Sequence, residues 1–203
     1  MEIAKVRRGE FTVKPEAAKD FLARVHWGTL SLVDVDGSPY AVPLSYGLSG
    51  DTVVFHGSRA GRKARAVRDD VWASLTVAQP YSFIPPDWNG KQSPCGATQF
   101  FKSVIVEGPL KVVSDEQGKR ETLSLLMSDF GHTAALSAFP SAMINATFVW
   151  CLNIQKLGSK FKFGQNLESD EARSLADFLH TRNEGPDRET AKEIIALHPS
   201  LAG

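Results

Sequence analysis

The residues best equipped for chemistry lie at 53–70, where the run VVFHGSRAGRKARAVRDD passes from an apolar stretch through two glycines into a basic segment. Arg59, Arg62, Lys63, Arg65 and Arg68 cluster there, in a chain whose formal net charge is zero. Cations gathered this tightly against a neutral background suit a local anion. Ser58 or a backbone amide can meet phosphate oxygens, and Gly57 and Gly61 let the backbone come close. Lys63 stands where a short helix would expose the positive end of its dipole. A solvated basic helix face would carry the same residues. His56 closes the apolar stretch at the mouth of the loop, placed to donate to a ligand or to serve as an ordinary rim histidine.

Other chemistries lose their signals. Gly57 and Gly61 are three residues apart and Lys63 is followed by Ala64, so this is not the phosphate loop of nucleotide hydrolases. No Gly-x-Gly-x-x-Gly follows a strand and no Gly-x-Ser-x-Gly elbow occurs, which removes the signatures of a Rossmann site and a serine hydrolase. His26, His56, His132, His180 and His198 lack paired ligand spacing, so no metal site is expected. The 203 residues carry 23 basic and 23 acidic side chains and are 42% hydrophobic, enough for a real core but with no net field to attract nucleic acid. No apolar run follows the first charged residues and none nears the ~20 residues of a membrane span, so no membrane partner and a cytoplasmic location are expected. Cys95 and Cys151 are far apart, as for two ordinary thiols in a reducing compartment.

The elements that must position the basic loop can be read from periodicity and turn residues. Spacing at Ala18, Phe21, Leu22 and Val25 predicts a helix over 15–25. Strands follow at 28–35, 40–48 and 52–56, joined at Asp36-Gly37 and at 49–51 into a three-stranded meander. Another strand covers 71–78. Residues 79–97 hold four prolines and Trp88, and form a loop too long for a mere connection, shaping either an acceptor pocket or a subunit contact. One extended segment runs over 98–113 with a bend or bulge at Gly108-Pro109. Ser114 begins a capping box and a helix bearing Leu123, Leu125, Leu126 and Met127. The last strand is expected at 147–154, with helices from Ser169 onward that break at Gly185-Pro186. Six mostly antiparallel strands with helices at the edges indicate an α+β protein on a small closed barrel.

Three blocks resemble the flavin mononucleotide (FMN) split-barrel proteins related to pyridoxamine 5'-phosphate oxidase. YAVPLSY at 40–46 with FHGSRAGRKARAVRDDVWASLTV at 55–77 is similar to that family's strand, phosphate loop, helix and strand. KSVIVEG at 102–108 resembles its strand that reaches the flavin from a partner subunit. KFKFGQNLESDEAR at 160–173 is similar to a segment of its nitroimidazole-resistance and PaiB-like branches. The resemblance implies an α+β fold with a six-stranded antiparallel split β-barrel over 1–166 and a helical C-terminal extension, 167–203, packed on the same domain. It implies FMN as cofactor. Arg62 and Lys63 would hold its phosphate with Ser58 and the backbone near Gly57, and Pro43, Leu44, Ser45 and Tyr46 would lie along the ring. Lys102 and Ser103 would come from the second subunit of a homodimer whose interface contains the site. Gln165 would approach the same cofactor or, with Asn166, begin a helix.

The departures narrow the chemistry. The oxidase proper carries glutamine and arginine where this chain has Ser103 and Ile105, and its C-terminal Arg-x-His motif is missing, which argues against pyridoxamine phosphate oxidation. The expected activity is that of a nitroreductase-like flavoprotein, passing electrons from a nicotinamide donor to a small acceptor, with His56 as candidate proton donor or substrate contact. A deazaflavin would suit a similar pocket. Two other classes remain: a haem-binding or haem-degrading relative, with His132 or His198 as iron ligand, and a PaiB-like transcriptional regulator, weakened by the zero net charge.

Overall fold

Proline at the first helical position and apolar residues along one face make α1 (Pro15–Val25), whose Ala18, Phe21 and Leu22 are buried. The computed structural model describes residues 1–90, 96–132 and 139–198. In chain order the further elements are β1 (Glu2–Ile3), β2 (Trp27–Val33), β3 (Pro39–Ser45), β4 (Gly47–Ser49), β5 (Thr52–Gly57), α2 (Arg62–Ala66), β6 (Trp72–Ile84) and β7 (Thr98–Val113). They continue with α3 (Glu116–Asp129), α4 (Ser141–Ala146), β8 (Phe148–Asn153), β9 (Lys156–Lys162), α5 (Ser169–Arg182) and α6 (Asp187–Leu197). The class is α+β, as expected, but among the described residues the sheet has nine strands rather than six and is not closed. Its order is β3-β2-β6-β7-β8-β5-β4, with β9 joined to β7 and β1 parallel to β9.

Two compact units share the chain. The first comprises Met1–Ala4, Lys14–Val77 and Val104–Gly158; the second comprises Lys5–Val13 and the described residues of Ala78–Ser103 and Ser159–Gly203. In the first unit, alternation puts Leu30 and Leu32 of β2, Ala73, Leu75 and Val77 of β6, and Val53 and Phe55 of β5 into the core. In the second, Phe100 and Phe163 pack 6.0 Å apart, with Leu179 and Ile194 of α5 and α6 also buried.

The meander is the main topological correction. β3 pairs with β2, but β4 and β5 pair with each other and β5 continues to β8. The break falls at Tyr46, fully buried, whose hydroxyl donates to the Leu22 carbonyl at 2.7 Å. An aromatic side chain anchored there ends one strand and starts another. Asp129 of α3 then receives the Leu48 amide at 2.9 Å and holds β4 in place. Strand β6 runs on past Pro80 to Ile84, so about a third of the expected long loop, 79–84, is strand, and the remainder includes residues 91–95 with Cys95 outside the described residues. The strand over 98–113 is continuous through Gly108-Pro109. The cap of α3 is Asp115 rather than Ser114, accepting from the Gly118 amide at 2.7 Å. β8 is not the last strand: β9 follows, with Leu157, Ser159 and Phe161 buried and lysines between them.

Candidate functional site

Strand β5 delivers the basic loop. It pairs antiparallel with β8 so that Phe55 faces Trp150, His56 faces Val149 and Gly57 faces Phe148. Phe55 and Trp150 are fully buried, with rings stacked 5.5 Å apart, and Phe148 lies 5.0 Å from Trp150 on a second contact. Beyond Gly57 the chain turns through Gly61, whose φ of 94° favours glycine, into α2. The Lys63 ammonium sits 5.2 Å from the centroid of the Trp150 ring and has no hydrogen-bond or ion-pair partner among the described residues. A Cβ at Gly57 would lie 2.5 Å from Lys63 Nζ, so the missing side chain is the space the ammonium occupies. The Trp150 indole N–H is buried and has no acceptor. An unpaired cation and a glycine cradle thus meet at the end of β5, over a tryptophan of β8 whose buried N–H lacks an acceptor.

His56 is exposed, yet the burial its ring does have, and then the Lys63 charge, keep its titration below the ordinary 6.5. It is therefore neutral at pH 7. Lys63→Met is expected to raise the His56 midpoint toward 6.5, followed by NMR of the ring protons; an unchanged midpoint would mean the two groups do not sense each other.

Two of the other cations of the loop have structural partners, while Arg65 and Arg68 are exposed. Arg62 Nε donates to Asp34 at 2.7 Å and its terminal nitrogen to Ser38 Oγ at 3.0 Å, while its guanidinium lies 4.5 Å over Tyr40. That hydrogen bond, followed by the Val35 amide, holds the Asp34 carboxyl below the usual carboxylate range. Arg59 donates to the Asn145 carbonyl at 2.7 Å. Ser58 Oγ accepts from the Ala60 amide at 3.1 Å, closing the loop on itself. On β3, Leu44 is buried, Pro43 is exposed and Ser45 is half-buried, so with Tyr46 tied to Leu22 this segment offers chiefly backbone.

Lys102, Ser103 and Gln165 belong to the second unit. Lys102 is 8% exposed, donates to Glu193 of α6 at 2.5 Å, and has the rings of Phe161, Tyr81 and Phe163 within 5.5 Å. Ser103 Oγ reaches the Lys160 carbonyl at 3.5 Å. The Gln165 amide is engaged locally, accepting from the Phe163 amide at 2.9 Å and donating to the Phe161 carbonyl at 2.5 Å. His132 is exposed after α3, and a His198 ring nitrogen lies 3.2 Å from the Gly164 carbonyl. Among the described residues no group of three or more His, Cys, Asp or Glu could hold a metal ion, and no helix is long and apolar enough to cross a membrane. Sequence reasoning missed Trp150 and Asp34. Trp150 could have been found by pairing β5 with β8, whereas nothing local marks Asp34 as the partner of Arg62.

The nine-stranded antiparallel-dominated sheet with a basic loop at the end of β5 defines a split-barrel protein. The chain belongs to the pyridoxamine 5'-phosphate oxidase family, whose sequence profile it matches over residues 14–158. Among solved structures it resembles the flavocytochrome Anf3 of Azotobacter vinelandii, with 25% identity and a TM-score of 0.68, covering 82% of this chain and 76% of that one. It also resembles the FAD and haem binding protein of Mycobacterium smegmatis, with 27% identity and a TM-score of 0.65 over 81% of this chain and 78% of that one. A Bacteroides thetaiotaomicron chain described as a 5-nitroimidazole antibiotic resistance protein shares the fold at 16% identity and a TM-score of 0.59, covering 71% and 81%. No curated protein matches the sequence.

Proposed function

We propose that the protein is an FMN-binding flavoprotein oxidoreductase that takes electrons from a nicotinamide donor and passes them to a small acceptor. The observation that carries this reading is the unpartnered Lys63 ammonium held over Trp150 beside Gly57. The residues present fit the phosphate end of a flavin nucleotide: a free cation, an orphaned indole N–H, and a loop with Ser58 and open backbone at its tip. When bound, the isoalloxazine would supply reversible two-electron chemistry. Lys63 binds the phosphate in this scheme, and Arg62 fixes the start of α2 through Asp34 rather than meeting the ligand with its full fork. The backbone of Pro43, Leu44, Ser45 and Tyr46 would face the ring. Neutral His56 could give a proton only after first taking one from solvent or donor, which suits it better to contact than to acid catalysis. Lys102, Ser103 and Gln165 would contribute from a second subunit, and Lys102 reaches a cofactor only by giving up Glu193.

A homodimer and a cytoplasmic location complete the proposal. Trp27 and Val33 of β2 and Trp72 of β6 expose 56%, 55% and 47% of their surfaces on paired strands, an apolar face that a second copy would cover. Because the Mycobacterium smegmatis relative at 27% identity is named as binding FAD and haem, a flavoprotein that also holds haem is the second reading.

The test is the visible spectrum of the purified protein, before and after incubation with FMN or FAD and gel filtration. Retained flavin bands with FMN support the proposal, and Lys63→Ala should weaken FMN by tens of fold, since a charge-assisted contact contributes roughly 1.5–3 kcal/mol. Retention of FAD alone moves the cofactor assignment, a Soret band beside the flavin supports the second reading, and no retained chromophore sinks both.

A further inference from the structure

The second unit carries an open pocket of about 500 Å³ that the flavin scheme leaves unused. Its volume falls within the range of small-molecule sites, roughly 300–1,000 Å³. Ile84, Phe100 and Leu175 supply buried apolar wall, and Trp88, 6.0 Å from Phe178 of α5, adds an aromatic surface. The polar lining is biased in sign. Arg8 and Lys162 face the cavity against a single carboxylate, that of Glu171.

Among the described residues neither cation has a close counter-charge. Arg8 makes only a long 3.9 Å approach to Glu10 with both side chains about half exposed, a geometry that contributes little. Lys162 is half-buried, and its hydrogen-bond partner is the uncharged Thr98 hydroxyl. Burial first, then the nearby Lys160 and Arg8 charges, hold its pKa below the usual lysine value. The fold therefore keeps an ammonium in a partly dry, cation-rich place with no ion-pair partner among the described residues, a cost that a bound anion would relieve.

We propose that this cavity binds a small organic anion with a flat apolar body, its acidic group meeting Lys162 and Arg8 and its body lying against Phe100 and Trp88. Asn166, from the block that resembles the nitroimidazole-resistance segment, lines the same cavity while its neighbour Gln165 serves the local backbone. The proposal does not depend on flavin binding, since the basic loop and Lys63 belong to the first unit.

Titration calorimetry with 2-naphthoate and its neutral analogue 2-naphthamide tests it on the full-length protein. The acid should bind at least about tenfold more tightly than the amide. Lys162→Met should erase that preference with little change in amide affinity, and Arg8→Gln, at an exposed position where misfolding is not expected, should reduce it. Glu171→Gln should strengthen the acid. Equal affinity for acid and amide, no binding of either, or an acid preference retained in both cation variants would overturn the proposal. FMN retention measured on the same preparations keeps the two readings separate: a variant that loses 2-naphthoate and keeps flavin supports the cavity site alone.

Discussion

Asp187→Asn is expected to lower the stability of the second unit by about 3 kcal/mol, the range for breaking a buried ion pair from one side. Asp187 is 1% exposed and receives Arg182 through both nitrogens at 2.7 and 2.6 Å, the Ser82 hydroxyl at 2.5 Å and the Glu184 amide at 3.0 Å. Thr190, also buried, completes the cluster at 2.8 Å from Ser82. Asparagine keeps the volume but gives up the charge facing Arg182. Burial alone would raise the Asp187 carboxyl, but the hydrogen bonds from Arg182, Ser82 and Glu184 outweigh it and hold the pKa at about 2, against an ordinary 3.8. A carboxyl whose folded-state pKa is depressed stabilises the fold above its unfolded pKa and loses that contribution as pH falls through the folded value. Urea denaturation should therefore show wild type losing roughly 2 kcal/mol from this group between about pH 4 and pH 2, a component missing from Asp187→Asn. Equal pH slopes for the two proteins would sink the assignment. The consequence reaches a candidate site residue, because α6 begins at Asp187 and carries Glu193, the carboxylate that holds Lys102.

What the sequence made legible was local. The helix over 15–25 was readable from Pro15 and one apolar face, and the strand over 98–113 from its extended pattern, which runs on through the bend or bulge expected at Gly108-Pro109. The basic loop was readable because cations clustered in a neutral chain. What stayed hidden depended on partners distant in sequence. That Arg62 belongs to Asp34 and Lys102 to Glu193 is set by how strands and helices come together, and no spacing rule reports it. The meander was inferred from two good turns, and both turns join paired strands, but the strand between them breaks at Tyr46, anchored on α1, so β3 pairs with β2 and β4 with β5. Strand β9 was overlooked for a different reason. In KLGSKFK the buried Leu157, Ser159 and Phe161 alternate as a half-buried strand should, but with Gly158, a buried serine and three lysines among seven residues its apolar signal is weak. One of them, Lys162, does face a cavity.

Gly108→Ala is expected to cost about 3 kcal/mol and to lower the melting temperature by about 10 °C. A Cβ at Gly108 would stand 1.8 Å from the Asn153 carbonyl oxygen and 2.9 Å from its carbon, both backbone atoms that no rotamer change can move. Its φ lies outside the left-handed region, so the requirement is for space, not for conformational freedom. The neighbouring Gln155 amide donates to Glu107 at 2.9 Å and Leu110 pairs with Leu152, so relief means prising β8 away from β7. Gly158→Ala is the control: its Cβ would meet Ala4 at an ordinary 3.5 Å, and the change should stay within about 1 kcal/mol of wild type. The glycine that ends KSVIVEG thus has a mechanical reason to be there. Strand β8 carries Trp150 beneath Lys63 and pairs with the strand that ends in His56 and Gly57, so displacing it should also weaken FMN retention where Gly158→Ala leaves it intact. If the two alanine variants proved equally stable, β7 and β8 would not approach this closely, and the placement of Trp150 under the basic loop would lose its support.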